Sequence, residues 1–191
     1  MSPAEILEEV YQHYLSSMVI HGFAKNSIGN NQKLARELTV LSPRKAKKTQ
    51  DKKQIIDDYF DELKTDITEL YILNIITTFE KIIFSRIDNA YGEIKKIVSE
   101  EYRRRYLKKQ FAPLHHSVNS FIKNKNDFYS LSGAKKVLKN PISEELFQDL
   151  TEIIEYRNYL SHGKRQDVGI ASTFKIGEIK DILINIIELI E

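Results

Sequence analysis

From Ile67 through Leu70, Tyr71, Ile75, Ile76, Phe79 and Ile83 to Ile87, apolar residues recur every three or four positions, with no Pro or Gly between them. That is the repeat of an amphipathic helix, and it constrains this chain most because it returns along most of its length. Ser2 and Pro3 form a cap and first-turn pair. Ile6, Leu7, Val10, Tyr11, Tyr14 and Met18 then predict a first helix to about His21, with Gly22 placed to end it. Residues 24–50 show no such period and carry Asn26, Gly29, Asn30, Asn31 and Pro43. They read as a long, basic, irregular connection with a short helix near Lys33 to Leu38.

The pattern further on predicts an acidic helix over 51–63, a boundary near Thr65-Asp66, the central helix to Ile87, and another over 93–109. Beyond Pro113 a helix over 114–122 and short helical pieces over 124–140 are expected. Ser143, followed by Glu144 and Glu145, opens a better-defined helix that ends at Gly163, since a capping hydroxyl and first-turn acids suit the helix dipole. A last helix covers 176–190. With 7 Gly and 4 Pro in 191 residues, the chain is too poor in turn formers for an all-β fold. The expectation is an all-α, single-domain bundle over 1–191 with extra short helices and a long loop after the first.

The chain has no Cys, which excludes a disulfide framework, a thiolate metal site and a cysteine nucleophile. The N-terminus lacks the basic and apolar blocks of a secretory signal. The most apolar window, Leu70 to Ile87, is interrupted by Asn74, Glu80, Lys81 and Arg86, so no membrane span is expected and the chain reads as cytoplasmic. Lys+Arg 29 against Asp+Glu 27 is nearly neutral, but the charges are segregated. Bases gather at 44–53, at Arg103, Arg104 and Arg105, over 123–139, and at Lys164 and Arg165; acids gather at 57–69 and 144–155. Such segregation gives a positive face to a nearly neutral protein, although a basic run is as readily a solvated helix face.

The sharpest local feature is Arg157-Asn158-Tyr-Leu-Ser161-His162-Gly163. In the helix leading to it, Leu146, Leu150 and Ile153 form a stripe whose next member is Arg157, and Phe147 and Ile154 lead to Asn158 and His162. The apolar face thus turns polar without changing direction. A guanidinium there needs a partner or a ligand. His115-His116 suggests no metal site, because adjacent residues on a helix do not face each other. Tyr102 and Tyr106, interleaved with arginines, are weak candidates for stacking on bases.

Arg157-Asn158-x3-His162 resembles the Arg-polar-x3-His signature of HEPN domains, which are helical bundles and include many metal-independent endoribonucleases of toxin–antitoxin and phage-defence systems. Glu80, in the central helix, resembles the acidic residue that some of these families carry. A subgroup neutralised by adenylylation has Tyr two places after the His; Lys164 stands there, so that mode is not expected. The resemblance implies a homodimer sharing its site, an RNA substrate, no cofactor, and a cognate antitoxin.

The residue types suit that chemistry. Cleavage by a 2′-OH needs proton transfer near neutral pH, for which imidazole is apt, and a positive charge on the phosphate oxygens, for which guanidinium is apt. His162 is therefore assigned as acid/base, Arg157 as phosphate clamp and Asn158 as the orienting group. Glu80 and Ser161 take supporting places, and Lys164, Arg165 and Arg103 to Arg105 are expected to contact RNA. Residues five apart on a helix point about 140° apart, so Arg157 and His162 of one chain converge poorly. Two other readings stay open: a helical interaction module in which Arg157 merely pairs with Glu80 or Glu155, and a nucleic-acid-binding module that does not cut.

Overall fold

Ser2 begins the first helix as expected: its hydroxyl accepts from the Glu5 N–H, and the Glu5 carboxylate accepts from the Ser2 N–H in return. The computed structural model describes residues 1–31, 33, 34, 36, 37, 52–106, 130–163 and 174–190. Five helices are long enough to name among them: α1 (Pro3–Gly29), α2 (Lys52–Tyr106), α3 (Leu131–Leu138), α4 (Glu144–Ser161) and α5 (Ile176–Leu189). No strand occurs among the described residues. The expected helix over 114–122 and most of the 24–50 segment lie outside them.

Two boundaries differ from the sequence expectation. Helix α1 does not stop at Gly22 but runs to Gly29, so residues 24–29 belong to it rather than to a loop. Tertiary contacts on either side of Gly22 hold the helix against α2. His21 is buried, and its Nε2 donates to the Phe60 carbonyl at 2.8 Å. Lys25 bridges Asp57 at 3.1 Å and Asp61 at 3.2 Å, and these carboxylates hold its ammonium pKa above the ordinary lysine value. Such anchors offset the roughly 1 kcal/mol that a helical Gly costs. Past the Asn30 turn, Lys33, Leu34, Arg36 and Glu37 are helical as expected, with the Asn31 side chain accepting from the N–H groups of Lys33 and Leu34.

The second difference is that the three helices expected between 51 and 109 are one, α2, of 55 residues and about 80 Å. Thr65 does not cap a new helix. Its hydroxyl donates back to the Asp61 carbonyl at 3.0 Å, and Thr68 does the same to Lys64 at 2.8 Å. A threonine that bonds the preceding turn serves the helix interior instead of starting a new one. Leu70, placed by its spacing on the apolar stripe, is 65% exposed.

The core is one contiguous cluster to which all five helices contribute: Leu7 of α1, Ile72, Ile75, Ile76, Phe79 and Ile83 of α2, Leu131 and Leu138 of α3, Leu150 and Ile153 of α4, and one face of α5. Ile176, Ile179, Leu183, Ile186 and Ile187 bury one face of α5, each stabilising the fold by roughly 2 kcal/mol. Arg86 of α2 donates to the Ile190 carbonyl at 3.2 Å and satisfies the end of that helix. Helices α1 and α5 approach closely at Gly177, where an added Cβ would sit 3.2 Å from the Tyr11 hydroxyl.

The α1–α5 contact also carries charge. Lys180 Nζ lies 2.8 Å from Glu8, 2.9 Å from Asp181 and 4.9 Å from the Tyr11 ring centroid. The Lys180 hydrogen bond, aided by Gln12, holds the Glu8 carboxyl below its ordinary pKa. A depressed carboxylate contributes stability above its unfolded value and loses it as pH falls through the folded one. Glu8→Gln is therefore expected to lower stability modestly near neutral pH, by under ~1 kcal/mol, and to converge on wild type in acid. Thermal melts across that pH range check it.

Candidate functional site

Ser143 starts α4 as the sequence indicates, its hydroxyl accepting from the Leu146 N–H at 3.2 Å. Leu150 and Ile153 are buried, and Arg157 continues their stripe toward α2. Its Nη2 lies 3.6 Å from Glu80 Oε2, with the Arg157 side chain 31% exposed and that of Glu80 17%. The Arg157 Nη1 also donates to Asn158 Oδ1 at 3.3 Å. The two halves of the sequence feature, an acid in the central helix and the Arg-Asn pair of the late one, therefore meet as a polar chain at the α2–α4 contact.

Asn158 and His162 do not continue the buried stripe of Phe147 and Ile154; both are exposed. The reason is angular drift. Each four-residue step advances a helix position by about 40°, so two steps beyond Ile154 carry His162 off the buried face. Tyr156 and Leu160 take the contacts with the core instead.

His162 is the C-cap of α4, its N–H donating to the Asn158 carbonyl at 3.0 Å. Gly163 follows with φ 68°, the left-handed conformation that ends helices and that Gly adopts without strain. Among the described residues the imidazole has no hydrogen-bond partner, and nothing links it to Arg157 within one chain. Ser161 turns away from it: its hydroxyl donates to the Arg157 carbonyl.

Among the assigned RNA contacts, the three arginines of α2 are not gathered there. Arg103, Arg104 and Arg105 lie on the last turns of α2, and 23 residues of helix beyond Glu80 is about 35 Å. Lys164, Arg165 and the His115-His116 pair lie outside the described residues. Beside Tyr156 is an open cavity of about 500 Å³ that the sequence did not indicate, lined by Asp61, Lys64, Thr65, Thr68 and Glu69 of α2. Tyr156 stacks on Tyr159 at 6.4 Å between centroids. Nothing in the sequence joins Tyr156 to the α2 wall, which is more than eighty positions away in the chain. Its carboxylates disfavour a phosphate there.

Among the described residues no group of three or more His, Asp or Glu is placed to hold a metal ion, and no helix is long and apolar enough to cross a membrane. No protein-family profile, no curated protein and no solved structure matches the chain.

Proposed function

We propose that the chain is a metal-independent endoribonuclease of the HEPN type, with RNA as substrate, acting as a cytoplasmic toxin or anti-phage effector. The observation that carries the reading is the Glu80–Arg157–Asn158 chain ending one turn before the exposed His162 imidazole. The guanidinium is held by one carboxylate but keeps further N–H donors, so it can orient on Glu80 while binding phosphate oxygens.

In the reaction the 2′-oxygen attacks phosphorus and the bond from phosphorus to the 5′-oxygen breaks. The products are a 2′,3′-cyclic phosphate and a 5′-OH. The 2′-OH proton leaves to a base, and the 5′-oxygen gains one from an acid; His162 supplies this proton transfer, and Arg157 carries the charge that develops on phosphate. A homodimer that sets two copies of the motif across one cleft brings Arg157 and His162 together where a single chain keeps them apart. A cognate antitoxin would restrain such an activity.

The Arg157–Glu80 pair together with an ordinary Gly-terminated helix end favours a second reading, a helical interaction module with a structural cluster. Cleavage of RNA in EDTA separates the two. Arg157→Ala is expected to slow cleavage by about 10²-fold or more while the protein still melts cooperatively. RNA left intact by folded wild type rejects the nuclease.

A further inference from the structure

Among the described residues nothing covers the outer face of α1. Val19, Ile20 and Phe23 are 73%, 68% and 74% exposed, and Leu15 is 38% exposed. Leu15, Val19 and Phe23 fall four residues apart, within an arc of about 80°. The opposite face is already taken, through Tyr14 to Thr68, Ser17 to Tyr71 and His21 to Phe60. Single exposed apolar residues are ordinary, but four together present roughly 400 Å², the size of patch that marks a contact site.

Charge says what kind of surface covers it. The eleven residues from Tyr14 to Ala24 contain no Asp, Glu, Lys or Arg, in a chain that is 29% charged. A second copy laid against this stretch brings no like charges together. The pattern is also symmetric about Val19: Leu15 and Phe23 stand four places either side, Ser16 and Gly22 three, and Gln12 and Asn26 seven. Gly22 adds an independent sign. It sits inside α1 with nothing among the described residues within 4 Å of where a Cβ would lie, so no approach of a described element requires it. A small residue on each flank of the stripe lets another helix come close.

We infer that this face of α1 pairs with the same face of a second copy, antiparallel, on a two-fold axis at Val19. Leu15 of each copy then meets Phe23 of the other, and Ser16 meets Gly22. Such an interface is isologous, as two-fold symmetry demands. Two faces of this size bury roughly 800 Å² in total, the range of weak and transient contacts, so the dimer forms only at high protein concentration. The pairing does not rest on the ribonuclease reading. Helix α1 carries no part of the Arg157 motif, so this pairing is a contact separate from the shared cleft of the proposed nuclease dimer, and a chain that pairs this way and cuts nothing leaves the inference standing.

Because the chain has no Cys, one introduced at Val19 can form a disulfide only with its own copy across the axis. Val19→Cys is expected to crosslink into a dimer under mild oxidation at least about tenfold faster than Lys136→Cys, an exposed control on α3. Val19→Glu, which sets two carboxylates on the axis, is expected to weaken self-association by about tenfold or more in sedimentation equilibrium, with an unchanged far-ultraviolet spectrum. Equal crosslinking of the two cysteine variants overturns the inference. So does a wild-type monomer at every concentration, or a monomer that instead binds neutral phosphatidylcholine vesicles through this face.

Discussion

His162→Ala is expected to reduce RNA cleavage by about 10²- to 10⁴-fold, the range that a positioned acid/base contributes. The fold should hardly notice. The ring is exposed and makes no hydrogen bond among the described residues, and the cap backbone at φ −90° and ψ 15° suits Ala as well as His. Surface changes of this kind usually move stability by no more than about 0.5 kcal/mol. That separation gives the measurement its force: a large loss of cleavage with an unshifted melting temperature belongs to chemistry and not to structure. The assay compares wild type and variant on labelled RNA in EDTA, with end-group analysis for the cyclic phosphate. Unchanged cleavage by His162→Ala removes His162 from the mechanism.

Phe79→Ala is expected to have the largest effect on stability, a loss of about 3–5 kcal/mol. Phe79 is 2% exposed, inside the cluster that joins α2 to the other four helices. Its neighbours on α2, Ile75, Ile76 and Ile83, are equally buried, so little can collapse into the space left by the ring. Chemical denaturation reads the change directly. A loss below about 1 kcal/mol would mean that α2 and the other helices do not share one core.

Much of the helical architecture was legible because its causes are local. A cap hydroxyl and first-turn acids mark Ser143, and the isoleucine spacing of α5 specifies a single buried face that the structure fills. The continuity of α2 was not legible. Thr65 and Asp66 look like a start signal, and only their position between the packed stretches at residues 56–60 and 72–83 shows that the hydroxyl turns back on the preceding turn. Gly22 misled for a similar reason: propensity weighs a residue alone, while His21 and Lys25 hold the helix through contacts with residues 57–61.

The site divides the same way. The Arg157-Asn158-His162 spacing could be read directly, as could the need of a guanidinium on an apolar stripe for a partner. Which acid would meet it could not: Glu80 and Glu155 both qualified by sequence, and packing of α4 across α2 selects Glu80. The outward turn of Asn158 and His162 follows from helical drift, yet it matters only because α4 ends where it does. By itself, then, the sequence determined the helical class, two capped starts, the buried face of α5 and the motif that carries the proposed chemistry. These depend on neighbours within about five residues. The tertiary structure alone decided the length of α1 and α2, the Glu80–Arg157 pair and the uncovered stripe at Val19. Each of these is settled by residues that are distant in the chain and adjacent in space.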